Sequence, residues 1–263
     1  TIAPIFTFNA ASFINCFEPE IQAAFMLNDQ GVSVNSTWMD DTGNVLAQDN
    51  EGEVTISSSG WYFLMVQNSE NFCSTTDSLF IDEDFEQPMV DAGTEALINC
   101  YDPEINLSGS SSSSVPLSFS WSTISGNILN GADTNAPRVD EEGIYILTLM
   151  NENNGCVNSD SVTVIGDFVV PKAIAGPDQL ISCFTGQAAL DGSSSSQGAD
   201  FRYVWTNNTG FFLDDNLTPS VTNLGLYYLE VTDLNNGCSA IDSVMVLPDP
   251  EAIDSVEISV DQP

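Results

Sequence analysis

The chain contains no histidine, and three basic residues, Arg138, Lys172 and Arg202, stand against 38 acidic ones, for a net charge of −35. Without histidine, Ser-His and Cys-His nucleophile pairs are excluded. Without clustered Lys and Arg there is nothing to grip a phosphate backbone, which argues against nucleic acid as a partner. An anionic membrane surface is disfavoured on the same ground. No segment approaches the roughly 20 apolar residues of a spanning helix, so no membrane insertion is expected. No stretch sustains capped helical periodicity over about a dozen residues.

What remains is a chain of 263 residues, 42% of them hydrophobic, which is enough apolar material for packed cores rather than disorder. Its acidity should keep it soluble and hold successive modules apart at low salt. The chain opens at Thr1 with no visible signal peptide, and it reads as a processed product or a slice of something longer.

The dominant feature is a threefold repeat. Pro4, Pro88 and Pro171 open the copies, with periods of 84 (88 − 4) and 83 (171 − 88). Each copy then runs through a first cysteine (Cys16, Cys100, Cys183), a tryptophan (Trp38, Trp121, Trp205) and a glycine five residues on (Gly43, Gly126, Gly210). A Gly-x-Tyr follows, ending at Tyr62, Tyr145 and Tyr227, and then a second cysteine (Cys73, Cys156, Cys238). Each copy ends in Asp-Ser-Leu or Asp-Ser-Val, at Ser78, Ser161 and Ser243. Units of this size are viable small domains, divided here as 1–86, 87–169 and 170–249. Residues 250–263 form a linker or the first strand of a further module, over Val256–Val260.

Matched cysteines predict one disulfide within each repeat: Cys16–Cys73, Cys100–Cys156 and Cys183–Cys238. On the loop-entropy model each would add roughly 4 kcal/mol. Oxidised pairs imply an extracytoplasmic setting. The glycine after each tryptophan lies between two apolar runs, a hairpin signature. The tyrosine segments, such as Ile144–Leu149, are short and rich in aromatic and aliphatic residues, and they read as central strands. Asn154-Gly155 and Asn236-Gly237 predict tight primed turns. The first copy has Asn71-Phe72, so its turn is expected to differ. About seven short strands per unit around a tryptophan predict an all-β fold of three tandem immunoglobulin-like β-sandwiches, one disulfide each. The joints, 82–93 and 167–176, contain proline and are short, which limits their range of angles.

Leu190-Asp191-Gly192-Ser193 followed by Tyr203-Val204-Trp205 resembles PKD-type modules, which are immunoglobulin-like domains of cell-surface proteins. Leu107-Ser108-Gly109-Ser110 and Phe119-Ser120-Trp121 repeat the pattern. The recurrent Cys, Gly-x-Tyr, Asn-Gly-Cys and Asp-Ser-Val are also similar to tandem repeats of large secreted adhesins of Bacteroidetes. That resemblance implies export, surface display and a stalk or filament role.

For chemistry, Asp41-Thr42-Gly43 matches the aspartic-protease triplet, but one copy cannot form the required pair, and it reads as a hairpin turn. The serine runs 110–114 and 193–196 read as loop linkers. Calcium would suit the carboxylates Asp82, Glu83, Asp84, Glu86 and Asp91 at the first joint. Ser78, Ser161, Ser243 and Ser255, each preceded by Asp, resemble the Bacteroidetes O-glycosylation site. The chain is thus read as non-enzymatic: an extracellular adhesin stalk or filament segment partnered by neighbouring modules of the same or identical chains. The alternatives are a glycan- or surface-binding module, with Trp61 as its best single residue, or an accessory region of a secreted hydrolase.

Overall fold

A computed structural model of the chain describes residues 2–28, 31–49 and 52–250. Ser255 and the strand expected over Val256–Val260 lie outside the described residues. Among the described residues every regular segment is a β-strand. The strands form three immunoglobulin-like sandwiches in series, with three separate cores.

In each module the tyrosine strand is central. Gly60–Asn68 lies between Val34–Asp40 and Ser74–Asp84, with Val45–Asp49 and Phe13–Asn15 at the two edges. The opposing sheet is Phe6–Asn9, Ile21–Leu27 and Val54–Ile56. In the second module Gly143–Asn151 lies between Leu117–Ser125 and Val157–Asp167, with Ala96–Asn99 outermost. In the third, Gly225–Asp233 lies between Phe201–Asn207 and Ser239–Pro248.

Alternation along these strands builds the cores. Tyr145, Leu147 and Leu149 point inward and are fully buried, as are Leu64 and Val66, and Leu229 and Val231. Each set packs with its module's buried tryptophan. Truncating one such leucine would cost about 2–5 kcal/mol. The glycine of the Leu-x-Gly motif is needed because the core presses on it. A Cβ on Gly109 would lie 2.6 Å from Leu147 and 2.8 Å from Trp121. The tyrosine of each Gly-x-Tyr closes a corner, its hydroxyl donating to a carbonyl four residues upstream: Tyr62 to Ser58 at 2.9 Å, Tyr145 to Glu141 and Tyr227 to Asn223 at 2.7 Å. Burial raises the Tyr145 and Tyr227 phenols above their ordinary value, so they remain donors.

All ladders within the main sheets are antiparallel except one per module. The short strand just before the first cysteine runs parallel to the last: Phe13 pairs with Asp82, Ala96 with Val164, Gln179 with Val246. This pairing places the first cysteine at the far end of the module, where the chain leaves it. The second cysteine precedes the last strand, at the near end, where the chain arrives.

The loop before the second cysteine is not the tight primed turn expected from Asn-Gly. It has four residues, closed by Gly155 N–H to Asn151 C=O (2.8 Å) and Asn151 N–H to Cys156 C=O (2.9 Å). The first module makes the same loop, against expectation, with Phe72 N–H donating to Asn68 C=O at 3.0 Å.

Candidate functional site

The cysteines do not pair within modules. Cys16 bonds to Cys156 and Cys100 to Cys238, each with Cα atoms 5.0 Å apart, and Cys73 and Cys183 are free. The expected pairs Cys16–Cys73, Cys100–Cys156 and Cys183–Cys238 are therefore incorrect. The reason is the last strand. Ser74–Asp84 has 11 residues, about 36 Å of extended chain at roughly 3.3 Å each. Cys16 follows Asn15, which pairs with Asp84, whereas Cys73 precedes Ser74. The two thiols of one module thus sit at opposite ends of it, far beyond disulfide reach. In series, the far-end cysteine of one module meets the near-end cysteine of the next.

Both joints have the same construction. Phe17 N–H donates to Asn154 C=O (3.2 Å), and Tyr101 N–H to Asn236 C=O (3.3 Å). The ring of Phe17 covers Gly155 and that of Tyr101 covers Gly237, so closely that a Cβ on either glycine would come within 2.6 Å of the ring. The asparagine before the glycine is buried and fully used. Asn154 Oδ1 accepts from Cys156 N–H, and its amide donates to Asp84 Oδ1 (2.9 Å) and Glu86 C=O (3.0 Å). Asn236 does the same with Cys238 N–H, Asp167 Oδ1 and Val169 C=O. The Asn-Gly-Cys tripeptide is thus an interface. Asparagine fixes the linker, glycine admits a ring, and cysteine bonds the preceding module.

The carboxylates expected to hold calcium are not gathered. Asp84 is taken by Asn154 and by Glu86 N–H, while Glu83 accepts from Ser59 N–H at 3.2 Å. Asp91 accepts from Gly93 N–H at 2.9 Å. Strand alternation sends Glu83 to the face opposite Asp82 and Asp84, and among the described residues no group of three or more such side chains could hold a metal.

Ser161 and Ser243 are exposed on the last strand and Ser78 is half-buried; they pair across to Ile146, Tyr228 and Phe63. The aspartate before the serine has its own task in two modules. Asp160 Oδ2 accepts from Ala92 N–H (2.9 Å) and Asp242 Oδ2 from Ala175 N–H (2.8 Å), tying the chain's arrival to the last strand. Spacing alone gave no sign of these bonds, although the recurrence of Asp-Ser was visible.

The Asp41-Thr42-Gly43 triplet is a turn held by its neighbour. Asp40 accepts from the Thr42 hydroxyl (2.7 Å) and the Asn44 amide (2.9 Å). These bonds hold its carboxyl down at about 2. Asn207 organises the matching turn of the third module through Thr209 and Phe211. Trp61 is 49% exposed and packs at a tilt of 56° against Phe80, ring centroids 5.1 Å apart.

No family model matches the chain, and no curated protein matches it. Among solved structures, a three-immunoglobulin fragment of titin is 10% identical, with 95% of this chain and 100% of that one covered and a TM-score of 0.37. Three N-terminal domains of the bacteriophage RB49 outer capsid protein Hoc are 10% identical, with 94% and 99% covered and a TM-score of 0.34. Drosophila OTK extracellular domains 3–5 are 12% identical, with 88% and 91% covered and a TM-score of 0.32.

Proposed function

We propose that this chain is a load-bearing segment of an extracellular tether, an adhesin stalk or filament whose joints are locked covalently. The observation that carries the reading is that both disulfides cross between modules. Bridges placed there join no two residues of a single core. They limit how the modules move relative to one another and how far the chain extends under tension. The modules, divided at 86/87 and 169/170, are then rigid segments, and oxidised cysteines suit an extracytoplasmic setting.

The overlap of the two bridges sets the mechanics. With all three cores pulled open, the shortest covalent path from Cys16 to Cys238 crosses both bridges and the 56 residues (156 − 100) between Cys100 and Cys156. With the bridges reduced it runs through 222 residues (238 − 16). At about 3.4 Å per residue these are roughly 190 Å and 750 Å. Single-molecule stretching should therefore reach a fully extended span between these points about four times as long after reduction. Equal lengths in the two conditions would end the reading.

The PKD-like and Bacteroidetes resemblance belongs to the same proposal, as does glycan attachment at Ser78, Ser161, Ser243 and Ser255. An intact mass of native material equal to that of the bare polypeptide would remove the glycans. A second reading, glycan or surface binding, is favoured by the exposed Trp61–Phe80 pair. Glycan-array binding that Trp61→Ala abolishes would support it.

A further inference from the structure

The two joints are built by one rule, and the far end of the third module carries the same parts, facing no further module among the described residues. Its first cysteine, Cys183, is an exposed free thiol. The next residue, Phe184, is 98% exposed, although its counterparts Phe17 and Tyr101 each cover a glycine of the following module. One hydrogen bond of the loop is shared with the other modules, although its closing backbone bond differs, Gly186 N–H to Ser182 C=O (3.0 Å). Thr185 N–H donates to Ser182 Oγ (3.1 Å), as Glu18 N–H does to Asn15 Oδ1 and Asp102 N–H to Asn99 Oδ1 (both 2.9 Å). Asp249 stands six residues after Ser243, as Asp84 follows Ser78 and Asp167 follows Ser161. Asp84 and Asp167 are the carboxylates that receive the next module's asparagine.

We propose that Cys183 and Phe184 form a docking site for one further module of the same kind, carrying Asn-Gly-Cys at its near end and closing on Cys183 as a disulfide. This rests on the tether reading and adds a direction to it. The phenyl ring would cover the incoming glycine and the Phe184 N–H would donate to the incoming asparagine carbonyl. The two thiols lose two protons and two electrons to a disulfide oxidant, which leaves as two thiols; a mixed disulfide forms first and is displaced by the second thiolate. Continuity with the two formed joints favours this occupant over a second copy docking through its own first module. There Phe72 occupies the glycine position, at φ 58 and 73% exposed, so a side chain stands where both formed joints have none. The site therefore selects modules like the second and third, and the ladder of bridges continues from the far end.

The test uses the chain extended by its own module: residues 1–249 followed by a second copy of residues 168–249. It is refolded in oxidised and reduced glutathione, alkylated, and mapped without reduction. The expected product joins Cys183 of the original module to Cys238 of the appended copy, leaving Cys73 and the appended Cys183 as thiols. Gly237→Phe in the appended copy should lower the yield of that bridge at least tenfold, and Phe184→Ala in the original module about fivefold. Cys183 that stays alkylatable, or joins two chains to each other, while Cys16–Cys156 and Cys100–Cys238 form, overturns the proposal. Loss of those two internal bridges would instead sink the tether reading. If the appended copy does not fold, residues 85–167 take its place, with their Cys156 as the expected partner; a Cys183 left free there also overturns the proposal.

Discussion

The three modules make the same four-residue loop before their second cysteine and differ at one position in it. Phe72 stands in the first where Gly155 and Gly237 stand in the others, and all three are left-handed, at φ 58, 74 and 76. The loop itself therefore tolerates a side chain, at a cost of about 1–2 kcal/mol. What requires glycine is the ring of the preceding module, which leaves no room for a Cβ at Gly155 or Gly237. Among the described residues no ring covers the loop of the first module, and there a phenylalanine is accommodated. A short motif that reads as turn chemistry is in this protein a statement about the neighbour.

Exchanging the two residues is the strongest way to break the comparison. Gly155→Phe should displace Phe17 and prevent the first bridge, and overpacking alone would cost about 1–3 kcal/mol. Thiol titration of the folded chain should then rise from two cysteines, Cys73 and Cys183, to four; an unchanged count would show that the ring does not need the glycine. Phe17→Ala keeps the glycine and removes the ring. It should weaken the bridge against glutathione by about 1 kcal/mol, roughly fivefold, since the ring is only partly buried. Phe72→Gly should be neutral or stabilising by about 1 kcal/mol in denaturant unfolding of the first module, because it relieves a left-handed phenylalanine.

The smallest effect concerns the tryptophan hairpins, held by a carboxylate in the first module and an amide in the third. Asp40 has a folded value of about 2, below the ordinary carboxylate range. Its contribution is therefore whole above about pH 4 and is lost as the pH falls through about 2. The amide resonances of Thr42 and Asn44 should shift over that window, while those of Thr209 and Phe211, bonded to Asn207, should not.

The fold was legible because its signals are local. Tryptophan, Gly-x-Tyr and alternation along Ile144–Leu149 mark the central strands without reference to anything distant. The joints were not legible because they depend on one long-range fact, the parallel pairing of the strand before the first cysteine with the last strand. Without it, two cysteines about 56 residues apart look like partners; with it, they lie at opposite ends of an 11-residue strand. The bonds made by Asp160 and Asp242 were hidden for a related reason. A three-residue motif says what a side chain is, and only the sheet shows that a backbone N–H of Ala92 or Ala175 waits opposite.

The two bridges close overlapping circuits, from Cys16 to Cys156 and from Cys100 to Cys238. A protease that cuts one peptide bond anywhere between Cys16 and Cys238 therefore does not sever the chain, because at least one sulfur link spans every such cut. Between Cys100 and Cys156 both do. Exposed loops can be nicked and the two ends still remain attached, so wear at the surface need not become detachment.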